Sequence, residues 1–208
     1  MNELPLHPAL VHLPIALVFF APLFGVYVAR EITRVGRLFP EPAGQPGPNS
    51  RPPAPNGYAR KRWRWVVVWA FAQTILIYGT MVSGERDADV VKAYLAESPS
   101  RGPGHGERPD AGANEFLAAI DAHENAAGLL LLLSGAALFA ALIALKPSPT
   151  ASRWRLATIG VQLLALGACL YTARLGGELV YRHGAAEAHR ARGADLEGPL
   201  LRSDRLRE

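Results

Sequence analysis

The stretch AAGLLLLLSGAALFAALIAL, residues 126–145, decides the fold. It carries no charge, and its length is the roughly 20 residues that a helix needs to cross the hydrocarbon core of a bilayer. Only helices and closed barrels satisfy their backbone groups in lipid, and a run this long and continuous is no barrel strand. Three further runs match it, at about Leu10–Val28, Val66–Val82 and Leu156–Tyr181. The second is the most polar, with Gln73, Thr74 and Thr80, but ARKRWRW at 59–65 gives it a firm basic and aromatic start. Half of the 208 residues are hydrophobic, because apolar spans alternate with very polar connections. The expected fold is all-α, an integral membrane antiparallel four-helix bundle, with residues 1–184 as one domain and 185–208 as a polar tail.

Charge orients the spans. Arg30 to Arg64 holds eight basic and two acidic residues, a net of +6, and Lys146 to Arg155 holds three basic residues, a net of +3. Gly84 to Asn125 holds four basic and nine acidic residues, a net of −5. The positive-inside rule puts the first two stretches in the cytoplasm. The acidic loop at 84–125 and both termini are then outside. The overall +4 therefore reflects orientation and not a nucleic-acid partner. No Lys or Arg precedes the first apolar run and no small-residue cleavage pattern closes it, so it reads as a retained helix.

Two connections differ in character. The cytoplasmic loop at 40–57 holds seven prolines and reads as extended chain without chemistry. The outer loop is expected to be partly helical. RDADVVKAYLAE, residues 86–97, groups Val90, Val91, Tyr94 and Leu95 on one face, which suits a helix lying on the membrane surface. Irregular chain is expected after it. Helical spacing returns with Phe116, Ile120, His123 and Ala127, and Asn114 is a suitable N-cap for the third helix.

This topology gathers histidines. His7 and His12 open the first span, His123 opens the third and His183 closes the fourth, so all four fall at the outer end of the bundle. Taken singly, each is better explained as a polar residue reaching headgroups or a carbonyl. Together they form a layer that only the topology assembles. His105 and His189 read as solvated loop and tail residues.

Neutral imidazole binds zinc, copper and iron, and haem iron takes axial histidines from facing helices of a bundle. A haem needs a flat slot, which Ala126, Ala127 and Gly128 after His123, and Gly176 seven residues before His183, are small enough to provide. Small residues in membrane helices equally serve plain packing. Arg86, Arg174 and Arg182 are candidate propionate partners, although Arg174 and Glu178 are spaced to pair with each other. His7 and His12, five apart, lie about 140° apart around an α-helix and roughly 7 Å along it, so from a regular helix they do not easily bind one ion; they could serve two centres, or His7 could lie on the lead-in before a helix starting near Pro8. Pro14 and Pro22 are expected to bend the first helix or free a carbonyl.

HPALVHLPIAL at the start, a histidine opening the third span and LGGELVYRHGA closing the fourth resemble a family of small bacterial membrane proteins known as domain of unknown function 2231. The resemblance covers the four spans and excludes the proline-rich loop and the last twenty or so residues. It implies a respiratory setting, sometimes with cytochrome c-like domains attached. Carried over by position, the family's histidines are His7, His12, His123 and His183.

The expected function is a b-type-cytochrome-like electron-transfer subunit, not a stand-alone enzyme, with one or two non-covalent haem b groups. His12 and His123 are the best pair for a central haem, with His7 and His183 for a second. Quinol, a periplasmic redox protein such as a cytochrome c, or a larger respiratory complex would be its partners. The alternatives are a histidine-ligated copper or zinc protein and a purely structural subunit. The single Cys169 excludes an intrachain disulfide, covalent CxxCH haem and thiolate zinc, and the absence of Met-rich or Cys-rich tracts gives copper transport no support.

Overall fold

The computed structural model describes residues 12–38, 54–97 and 109–182. They form four helices, α1 His12–Leu38, α2 Ala54–Glu97, α3 Pro109–Ile143 and α4 Ala151–Tyr181, with no strand among the described residues. Each contains a window long and apolar enough to cross a membrane.

All four helices outrun the apolar stretches that announce them. α2 has 44 residues, a rise of about 66 Å. It runs unbroken through Gly84 and the polar stretch 86–97, so no separate surface helix begins there. α3 starts at Pro109, five residues before the expected cap, and Asn114 lies inside it. Proline suits a first helical turn because its missing N–H has no helical partner there anyway. In α1, Pro14 falls in the first turn and needs no bend. Pro22 is interior, so the carbonyl of Val18 loses its i+4 donor.

The chain divides into two compact units, Met1–Thr80 with Gly128–Cys169, and Met81–Ala127 with Leu170–Glu208. In the first unit, residue pairs give the helix directions. Val18 clusters with Ile77, Leu130 and Ala165, while Val28 clusters with Trp63, Val66 and Ala144. As α1 residue numbers rise, their α2 partners fall and their α3 partners rise, and Gly25 meets Ile159 of α4. The helices therefore run up, down, up and down.

Burial in this unit inverts the pattern of a water-soluble bundle. Small and polar residues are inside: Ala137, Ala141, Ala144 and Ala165, with Gln73, Ser134, Thr158 and Gln162. Large apolar residues are outside, among them Phe19, Phe20, Leu23, Phe71, Leu132, Phe139, Leu156 and Leu164. In water this would expose a continuous apolar belt. In lipid it is the expected arrangement, since small residues let backbones approach and large ones meet acyl chains.

Apart from Pro22 and Ala140, the buried positions of α1, α2 and α3 in this unit also keep a regular rhythm. α1 buries Pro14, Val18, Ala21, Gly25 and Val28, and α2 buries Ala59, Trp63, Val66, Ala70, Gln73 and Ile77. α3 buries Leu130, Ser134, Ala137, Ala141 and Ala144. Alternating steps of four and three average 3.5 residues, the period of a left-handed seam. Hydrogen bonds pin that seam. Trp63 Nε1 donates to the Ala141 carbonyl at 3.1 Å, Trp69 Nε1 to the Leu17 carbonyl at 3.1 Å, and Gln73 Nε2 to Ser134 Oγ at 3.2 Å.

The second unit has its own small core. Phe116 and Ile120 of α3 pack with Leu117, with Ala88 of α2 and with Leu179 of α4. That packing explains why α2 and α3 remain helical beyond their apolar stretches, since tertiary contact decides the state of polar sequence more than propensity does.

Candidate histidine site

His123 lies three residues after Ile120, hence on the α3 face that carries Phe116 and Ile120 into the core of the second unit. Its ring is partly buried. Nδ1 lies 3.1 Å from the carbonyl oxygen of Thr172 on α4. A carbonyl only accepts, so Nδ1 carries the proton and donates. In the neutral ring the lone pair is then on Nε2.

Gly176 makes this contact possible. It stands one turn after Thr172, where the side chain of residue i+4 would normally shield that carbonyl. A β-carbon there would fall 3.1 Å from Cε1 and 3.6 Å from Nδ1 of His123. The space left by the missing side chain is occupied by the imidazole itself. Gly128 faces open space by the same measure.

Charged groups in the same unit form local pairs. Lys92 Nζ lies 3.3 Å from Glu124 Oε1 and 3.9 Å from Asp121 Oδ1, so the two acids flanking His123 share a lysine. Arg174 pairs with Glu178 at 3.5 Å along α4, as the spacing allows. Arg182, just past the end of α4, is exposed, as is Arg86. His12 is the first residue of α1, belongs to the other unit and is exposed. His7 and His183 lie outside the described residues. Among the described residues, no group of three or more His, Cys, Asp or Glu side chains is gathered to hold a metal ion.

The first unit holds polar groups that the histidine pattern did not indicate. Gln162 is 1% exposed, and neither of its amide atoms has a hydrogen-bond partner, while Gln73 Oε1 also lacks one. At one end of this unit Tyr58 donates to Glu31 Oε1 at 2.6 Å, and Arg62 closes on the same oxygen at 2.9 Å. Step-of-four-and-three spacing of small and polar residues was the available signal for the glutamines. For the ion pair there was none, because 31 residues separate its partners.

Four apolar helices with an outward-facing apolar surface and a small-residue interior define a multi-pass membrane protein in contact with lipid. Over residues 3–189 the chain matches the family described as "Predicted membrane protein (DUF2231)", and it belongs to that family. No curated protein and no solved structure matches it significantly.

Proposed function

We propose that the chain is a b-type-cytochrome-like electron-transfer subunit in which His123 supplies one axial nitrogen to haem b. The observation that supports this reading is the Nδ1–H bond from His123 to the Thr172 carbonyl. Histidines that ligate metals commonly donate their other ring N–H to a carbonyl or carboxylate, which fixes the tautomer and turns the lone pair of Nε2 toward the metal. Gly176 seats the ring and Thr172 orients it. His7, His12 and His183 are the candidates for the second nitrogen. Haem held by two histidines transfers single electrons with no open coordination position.

The loop charges support a bacterial inner-membrane setting with both termini on the periplasmic side. Quinol or a periplasmic redox protein is then the natural partner. The test is a reduced-minus-oxidised visible spectrum of the purified protein, with a pyridine assay for haem type. Wild-type protein expressed with ample haem is expected to show a b-type signal that His123→Ala abolishes. A colourless wild type, or an unchanged spectrum in His123→Ala, overturns the assignment. Copper or zinc retained by such a colourless protein identifies the metal-binding alternative.

A further inference from the structure

We propose that the basic end of the first unit holds a specific site for the phosphate of an anionic phospholipid, with Arg155 as its cation. The inference is independent of any haem. It starts from a cavity of about 280 Å³ at the ends of α1, α2 and α4, lined by Ile32 and Val35 of α1, Tyr58 and Ala59 of α2, and Ser152 and Arg155 of α4. All these residues belong to one unit.

Arg155 is the unusual member. It is half-buried, and its Nε is buried without a hydrogen-bond partner. Its guanidinium lies 5.7 Å from the ring centre of Trp63, which is fully buried and tied to the Ala141 carbonyl. Among the described residues no carboxylate pairs with it. A half-buried guanidinium with an unpartnered Nε and no carboxylate beside it is costly, so the position calls for an anion.

Among the described residues no acid is placed to answer. Glu31 is the only acidic residue among the described residues of this unit, and Arg62 and Tyr58 already engage it. The surroundings are cationic instead, with Arg30, Arg34, Arg37, Arg60, Lys61, Arg64, Lys146 and Arg153 all exposed. Ala151 and Ser152 also form the first turn of α4, where the helix dipole favours an anion.

Position selects a lipid as the source. Exposed Trp65 and Trp154 mark this end as the headgroup level, where amphipathic rings settle. The cavity joins a phosphate-binding side to the apolar wall of Ile32 and Val35, as a headgroup with its glycerol requires. Its volume falls just below the roughly 300 Å³ of drug-sized pockets, enough for a headgroup and not for a whole lipid. Basic pockets between membrane helices bind anionic headgroups in this way.

The test is native mass spectrometry of the full chain released from nanodiscs of phosphatidylcholine with and without phosphatidylglycerol. Wild-type protein should retain one phosphatidylglycerol in preference to phosphatidylcholine. Arg155→Met, which keeps the bulk and removes the charge, should reduce that preference about tenfold, as the loss of a charge-assisted hydrogen bond predicts. Ser152→Leu fills the cavity from an exposed position that the fold does not need, and should give the same loss should Arg155→Met prove unstable. Arg153→Met removes a neighbouring exposed charge and should change nothing. Equal retention of both lipids, or full preference in both Arg155→Met and Ser152→Leu, overturns the site. A preference lost equally in Arg153→Met reduces it to the general basic belt. Binding of inorganic phosphate in pure phosphatidylcholine, matched by no gain with phosphatidylglycerol, overturns the lipid assignment.

Discussion

His123 and Gly176 compete for one space: a β-carbon at position 176 would lie 3.1 Å from Cε1 of the imidazole, closer than side chains ordinarily pack. The glycine therefore sets the orientation of the histidine. Gly176→Val should push the ring away from the Thr172 carbonyl and destabilise the protein by roughly 1–3 kcal/mol, the usual cost of overpacking. Thermal unfolding in detergent measures the loss, and Gly177→Val, where a β-carbon meets open space, is the control. Equal melting temperatures for the two variants would contradict the shared-space account.

Gln162 makes the opposite prediction. Its buried amide has no partner for either polar atom, so Gln162→Leu removes a desolvation cost while keeping similar volume. Stability should rise by about 1–2 kcal/mol, in the range for an unsatisfied buried polar group. Equilibrium unfolding in mixed micelles reads the change. A marked loss of stability would mean that the amide is hydrogen-bonded in the membrane, by water or by Gln73.

Trp63 ties α2 to α3 through its indole N–H and supports Arg155 from below. Trp63→Phe keeps an aromatic ring but removes the indole N–H that donates to the Ala141 carbonyl and leaves unfilled volume. A loss of about 1–3 kcal/mol is expected, mostly from the smaller ring. Trp65→Phe, on the exposed side of the same helix, should fall within about 0.5 kcal/mol of wild type.

The orientation is tested without any cofactor. A phosphatase reporter fused after Glu208 should be active, and a cytoplasm-dependent fluorescent reporter at the same position should be dark, if the C-terminus lies outside as the loop charges predict. The reverse result would invert the topology.

The spans were legible because uncharged runs such as 126–145 have no other stable home. Their ends were not. Residues 86–97 and 109–113 are too polar to announce helix by hydropathy, and the contacts of Ala88, Phe116 and Leu179 carry it beyond the apolar windows. The packing seam was hidden for a related reason. Ala, Gly, Ser, Thr and Gln carry little hydropathy signal, so the positions that hold the first unit together look like the least distinctive ones. His123 was legible through its spacing from Phe116 and Ile120. Its hydrogen-bond partner was not, because a backbone carbonyl has no letter in the sequence. Gly176 was legible as a small residue on the relevant face, although what occupies its face is the histidine ring.

The inverted burial of the first unit also sets the order of its assembly. A soluble domain shelters its sticky residues by folding. Here Phe19, Phe20, Leu132, Phe139 and Leu164 remain half or more exposed after folding, so a chain completed in water would gain little protection from reaching its native contacts. Insertion must come first, each helix entering lipid during synthesis, and the fine fit of alanine, glycine and serine along the seam can select partners only afterwards. Substitutions on the outer face are therefore expected to register as failed delivery to the membrane, and substitutions along the seam as correct delivery followed by faulty assembly.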